Sequence, residues 1–193
     1  MYTIFDCETN GLPKKWKAPM SDLDNWPRVI QLAWFVADEN GNEITRGNHL
    51  IKPDGWIMPT DEFWIENGFS QEESLAKGIP IEEALFLFTE DLKQSKYLIS
   101  HNMAFDQNVV GAEMMRIGMK AKKQIKICTL QESTDFCKLP GKYGKYKWPK
   151  LIELYTKLFN KGFDNAHDAL ADVIACKDCF FKLKEKGIIR LES

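Results

Sequence analysis

The segment Tyr2-Thr3-Ile4-Phe5-Asp6-Cys7-Glu8 constrains this chain more than any other. Its first four residues have the character of a buried strand, yet it runs straight into two carboxylates. In a strand, side chains alternate between faces, so Asp6 and Glu8 point the same way. Like charges on one face repel, and burial makes the repulsion worse. A chain that folds this segment into its core must set a cation against the pair or leave the strand end open to water. Taken alone, the pair fits a solvated strand end as well as a cation site.

At 193 residues the chain is long enough for a core of its own, and we expect a single domain over 1–193. Arg28–Ala37, rich in β-branched and aromatic residues, reads as a second strand. Asn40-Gly41 then signals a hairpin into an antiparallel third strand over Glu43–Ile51. Short helices are expected over Asp61–Glu66, capped by Thr60, and after Ser70, where Glu73 completes a capping box. Pro80 opens a longer helix. Tyr97–Ser100 and Ile125–Cys128 read as strands four and five, with a helix between them that starts in His101–Asp106 and ends near Gly118. Leu151–Phe159 and His167 to Lys186 read as the last helices. A hairpin followed by strands alternating with helices predicts an α/β fold with a five-stranded mixed sheet flanked by helices.

The composition, 44% hydrophobic and 28% charged, is that of a soluble globular protein. No run approaches the ~18 apolar residues of a membrane helix. The N-terminus shows no basic region leading into an apolar run, so the expected compartment is the cytoplasm. Five cysteines, an odd number without a secretory signal, argue against a disulfide framework. Cys176 and Cys179 have C-x-x-C spacing inside a helical pattern, without a second pair to complete a zinc site, and read as ordinary helix residues. The net charge of −2 advertises no nucleic-acid partner, although a local basic strip can act alone.

More carboxylates gather at element ends. Asp106 closes His101-Asn102-Met103-Ala104-Phe105-Asp106, at the start of a helix. Asp168 and Asp172 share one helix face, and the Ala-Leu-Ala between them lets a helix approach a sheet closely. In chain order, "FDCETNGL", "HNMAFD" and "AHDALADVIA" resemble the three motifs of the DEDDh family, the DnaQ-like 3′–5′ exonucleases. Those motifs are D-x-E-T-x-G-L after a strand, N-x-x-F-D, and H-D-A-x-x-D. "PRVIQLAW" and "ICTL" agree with the segments between, so the resemblance runs from Tyr2 to about Phe181. Each motif alone is weak; three in order, with both flanking segments, are specific.

The resemblance implies a ribonuclease H-like fold. It implies an enzyme that hydrolyses phosphodiester bonds at the 3′ end of nucleic acid, DNA in preference, single-stranded or frayed, and releases nucleoside monophosphates. Two divalent ions about 4 Å apart place the attacking water and stabilise the leaving oxygen in such chemistry. Hard oxygen donors suit Mg²⁺ or Mn²⁺. By the resemblance, Asp6 bridges both ions, Glu8 and Asp172 hold the ion that carries the water, and Asp106 serves the second. The ions answer the repulsion between Asp6 and Glu8; without them, at least one carboxyl pKa should rise. His167 is the general base, a role that an ordinary imidazole pKa near 6.5 suits. Asp168 is a supporting residue and not a ligand. Thr9, Asn10, Gly11 and Leu12 form a turn against the terminal nucleotide, where Gly11 permits close backbone approach and Leu12 wedges against the last base. Asn102 and Phe105 line the pocket, and His101 supports the second motif from behind. Cys7, between the first two carboxylates, faces the other way into packing.

Other readings compete. Exoribonuclease or oligoribonuclease-type trimming of RNA uses the same site, and the 2′-hydroxyl contact that separates RNA from DNA leaves no mark in the sequence. A polymerase or repair partner fits the scaffold equally well. His167-Asp168 also fits an HD-type phosphohydrolase, but that class is all-helical and needs more than three histidines. A silent nucleic-acid-binding module would lack one of the four carboxylates, and all four are in place. Finally, Lys138–Lys150, "KLPGKYGKYKWPK", carries five lysines and three aromatic rings and no acid. Its glycines and prolines make it a loop. Lysines neutralise phosphates and rings stack on bases, but lysine-rich loops also serve solubility alone.

Overall fold

β1 (Tyr2–Thr9) is the axis around which the chain is built. The computed structural model describes residues 1–120 and 122–191. β2 (Val29–Ala37) and β3 (Glu43–Leu50) follow through the expected hairpin and pair antiparallel, β2 beside β1. β4 (Tyr97–Ser100) and β5 (Ile125–Cys128) add on the other side, both parallel. The sheet order is β3-β2-β1-β4-β5, the mixed five-stranded sheet that the alternation predicts. Every residue of β2 is buried, because helices cover both faces of the sheet.

The two faces carry separate cores. Phe5, Cys7, Trp34 and Leu98 point into one, beneath α3 (Ile81–Leu92) and α4 (Met103–Arg116). Tyr2, Ile4, Ala33 and Ile99 point into the other, beneath α6 (Leu151–Phe159) and α7 (Ala169–Glu185). Alternation along β1 therefore sends Asp6 and Glu8 toward α7 and Cys7 toward α4. Trp34 is held between Phe88 and His49, and its indole N–H donates to Asp91 at 2.7 Å. Gly47 lies opposite Trp34 on β3; a Cβ there would come within 2.2 Å of the indole. Removing such a buried aromatic costs roughly 3–5 kcal/mol. Among the described residues, no helix is long and apolar enough to cross a membrane.

Four local details depart from the sequence reading. Thr129–Cys137 forms a helix, α5, where no helix was expected. Its buried positions include Thr129 and Ser133, so it lacks the apolar stripe that would have marked it. α7 begins at Ala169 and not at His167, because Asp168 is its N-cap and accepts from the Ala171 N–H at 3.0 Å. Asp168 thus stands outside the helix and shares no helical face with Asp172. α1 (Glu62–Glu66) starts from Asp61, whose carbonyl receives the Trp64 N–H, and not from Thr60. At α2 (Gln71–Lys77), Ser70 accepts from the Glu73 N–H, but the Glu73 carboxylate turns to Lys77 and completes no box.

Candidate active site

The site forms where the C-terminal ends of β1 and β4 meet the N-terminal ends of α4 and α7. In the β1–β2 register Asp6 lies opposite Ala33 and Glu8 opposite Gln31. A small residue at position 33 lets α7 come close above Asp6. Gln31 then fastens the helix. Its carbonyl oxygen accepts from the Ala169 N–H at 3.0 Å, and its amide donates to Asp168 Oδ2 at 3.0 Å and to Asn48 at 2.9 Å. One side chain on β2 therefore sets where α7 starts and where Asp172 stands. The sequence reading missed Gln31, although it lies in the quoted "PRVIQLAW".

Asp106 arrives from the other face. It sits in the first turn of α4, fully buried, behind Asn102 in a left-handed backbone conformation (φ 98°). The Ser100 hydroxyl donates to one carboxylate oxygen and the Cys7 thiol to the other, at 3.6 Å. Cys7 faces into packing as expected, yet its thiol still touches the site. His101 braces the turn. Its Nε2 donates to the Pro149 carbonyl at 3.0 Å, so Nδ1 is left to accept from the Thr129 hydroxyl at 2.9 Å. Burial lowers its pKa to about 4, which keeps the ring neutral.

The four carboxyls crowd together with raised proton affinities. Burial is the largest cause for each. Asp6 is pushed well above the usual range, with Asp106, Asp172, Glu8 and Asp168 adding repulsion in that order. Glu8 is raised to about 8 by burial, then by Asp172, Asp106 and Asp168. Asp106 rises to about 7 by burial against the pull of Ser100 and Cys7, and Asp172 to about 6 by burial against the pull of His167. Donor atoms of Glu8, His167 and Asp172 all lie within 4.8 Å of one another. His167 is exposed, in a left-handed conformation (φ 75°), and its backbone N–H points at Asp172 Oδ2 at 3.4 Å. Hard oxygen donors whose ionisation burial and mutual repulsion make costly fit a divalent cation of the Mg²⁺ or Mn²⁺ class, which would offset that cost.

The expected substrate turn divides into two kinds of residue. The Thr9 hydroxyl donates to the Gly11 carbonyl at 2.7 Å, and the Asn10 side chain accepts from the Arg28 N–H at 2.8 Å, so both shape the turn from within. Gly11 faces open space, and Leu12 is 73% exposed. Asn102 is half-buried at the head of α4, and Phe105 packs against the exposed Trp16 with ring centroids 5.9 Å apart.

A sequence model of the exonuclease family RNase T matches residues 3–180. The DNA polymerase III PolC-type protein of Mycoplasmopsis pulmonis is 26% identical over 191 residues, 97% of this chain but 12% of that polymerase. A crystal structure of E. coli Exonuclease I in complex with a dT13 oligonucleotide matches with a TM-score of 0.72 and 22% identity. It covers 95% of this chain and 40% of that one. The zinc-bound form of the E. coli Exonuclease I complex with single-stranded DNA gives 0.70 and 20%, over 96% and 40%. These structures share the fold, and the chain spans less than half of each relative. The family match, by contrast, covers all three carboxylate-bearing segments, and the chain belongs to the RNase T family of exonucleases.

Proposed function

We propose that residues 1–193 act as one metal-dependent exonuclease domain that shortens single-stranded nucleic acid from its 3′ end, DNA in preference, and releases nucleoside monophosphates. Two cores on one shared sheet support the single domain, although Ala121 and residues 192–193 lie outside the described residues. The observation that carries the function is the meeting of Asp6, Glu8, Asp106 and Asp172 with proton affinities raised by burial. The DNA preference rests on the DNA-bound Exonuclease I structures and the polymerase relative.

In this reading the four carboxylates hold two divalent ions, Mg²⁺ or Mn²⁺. Bound ions of this kind lower the pKa of water and stabilise charge building on phosphate oxygens. His167 takes the proton of the attacking water. It is exposed, next to Glu8 and Asp172, and on a backbone fixed by its contact with Asp172. Ser100 and Cys7 hold both oxygens of Asp106, so that residue keeps its orientation without a ligand. Leu12 and Gly11 meet the last nucleotide, with Thr9 and Asn10 holding their turn. Asn102 and Phe105 line the wall beside it.

Incubation of the purified protein with a 5′-labelled single strand and Mg²⁺ or Mn²⁺ tests the proposal. A ladder of shortened products that EDTA abolishes is expected. No shortening of DNA or RNA with either metal would sink it. An RNA ladder without a DNA ladder would keep the site and overturn the preference.

A further inference from the structure

The loop between α5 and α6 is a built hairpin. Pro140 bridges to Tyr146, the Lys147 N–H donates to the Leu139 carbonyl at 3.0 Å, and Lys142–Gly144 makes a single 3-10 turn at the tip. Its two arms cross closely at Gly141, where a Cβ would come within 2.5 Å of the Lys145 carbonyl. Every residue from 140 to 148 is nevertheless exposed. Tyr143 is 97% exposed in a left-handed backbone conformation (φ 55°), and Trp148 is 62% exposed. An ordered hairpin that turns three aromatic rings outward is costly unless something covers them. Of its five lysines only Lys147 is paired, with Glu153 at 2.6 Å. Among the described residues, Lys138, Lys142, Lys145 and Lys150 have no ion pair.

The hairpin is also tied to the active site. Its last buried residue, Pro149, accepts from His101 Nε2. His101 directly precedes Asn102 and the α4 turn that carries Asp106, and follows Ser100, which holds Asp106.

From these observations we infer that the hairpin 138–150 is a second nucleic-acid site. It binds the unpaired stretch of the strand upstream of the 3′ end, with Tyr143, Tyr146 and Trp148 stacking on bases and Lys142 and Lys145 on phosphates. Exposed rings select single strands, since bases in a duplex already stack on one another. The inference rests on the exonuclease reading above and extends it from the terminal nucleotide to the body of the substrate.

The test compares two double variants, Tyr143→Ala with Trp148→Ala and Lys142→Ala with Lys145→Ala, on two substrates. One is thymidine 5′-(p-nitrophenyl phosphate), which needs the active site alone. The other is an oligothymidylate of about 20 nucleotides, longer than the ~4–16 that such sites cover. The aromatic variant should raise KM for the strand roughly 10-fold and leave kcat and ester turnover unchanged. The lysine variant should also flatten the slope of log KM against log salt by about 1.4, at 0.7 per phosphate contact. An unchanged KM for the strand overturns the inference. So does an equal loss on both substrates, which would make the hairpin a prop for His101. If the wild type hydrolyses neither substrate, the exonuclease reading fails, and the hairpin is judged by the anisotropy of the labelled strand in EDTA. Weaker binding by both variants then upholds it, and unchanged binding overturns it. Hairpin-dependent binding of an oligoglutamate peptide in place of the strand assigns the loop to an acidic protein segment and also overturns it.

Discussion

Two groups of acids drawn wholly or half out of solvent are treated in opposite ways in this molecule. Glu113, 1% exposed on α4, receives Arg28 Nε at 2.8 Å, Arg116 at 3.1 Å and the Val29 N–H at 3.1 Å. This cluster ties the start of β2 to α4 and sets two cations against the carboxylate, all three contacts falling on Oε1 while Oε2 has no hydrogen-bond partner among the described residues. At the ends of β1 and β4, Asp6, Glu8, Asp106 and Asp172 have one another and Asp168 for like-charged neighbours, and hydrogen bonds from Ser100, Cys7 and His167. The same α4 carries a compensated carboxylate three turns into the helix and an uncompensated one in its first turn. The fold can set cations against a buried acid, so acids left repelling one another mark a place where stability is given up, as the proposed metal site requires.

Replacing single charges should separate the two regions. Asp6→Asn should lower strand hydrolysis by roughly 10³-fold or more while raising metal-free stability by about 1 kcal/mol, read by urea unfolding in EDTA. A destabilised Asp6→Asn would erase the contrast. His167→Ala should lose roughly 10²–10⁴-fold in kcat and keep the Mn²⁺ affinity of the wild type by calorimetry. Full activity would remove it as the base. Glu113→Gln should do the reverse of Asp6→Asn. It should cost roughly 2–4 kcal/mol of stability by leaving two arginines unpaired, while activity at low temperature persists.

The pH dependence sharpens the comparison further. Glu8, Asp106 and Asp172 titrate at about 8, 7 and 6 in the fold and near 4 in the unfolded chain. Between these limits the metal-free fold holds protons that the unfolded chain has released. Its stability is therefore greatest below about pH 4 to 5 on this account and falls as pH rises toward 8. Thermal melting in EDTA should show this fall, and Mn²⁺ should raise the melting temperature more at about pH 8 than at about pH 5.5. An equal rise at both would disconnect the raised carboxyls from metal binding. The smallest effect is expected at Gln31. Gln31→Ala should cost about 1 kcal/mol and lower kcat roughly 10-fold with little change in KM, because α7 loses its fastening to β2 and Asp172 its exact height.

Much of the site was legible because its chemistry is local in sequence. Period-two alternation alone puts Asp6 and Glu8 on one face and Cys7 on the other. Asp106 and Asp172 were found through motifs whose spacing survives in the chain. What escaped was set by partners far away in sequence. α7 starts at Ala169 because Asp168 caps it, and Gln31, 138 residues before Ala169, holds that cap and accepts the Ala169 N–H. α5 is helical although two of its four buried residues, Thr129 and Ser133, are polar, and Thr129 meets both His101 and Cys176 of α7.

The sequence by itself determined the strand order along the chain, the mixed sheet and the carboxylates that meet at its end, because strand alternation, turn chemistry and motif spacing act over a few residues. Only the tertiary structure decided that Glu113 is neutralised while the four site carboxyls are not, that His101 is a neutral brace reaching Pro149, and that the lysine- and aromatic-rich loop is an ordered hairpin beside the site. Burial and charge pairing depend on which side chains fold against one another, and that information lies in no single stretch of the chain.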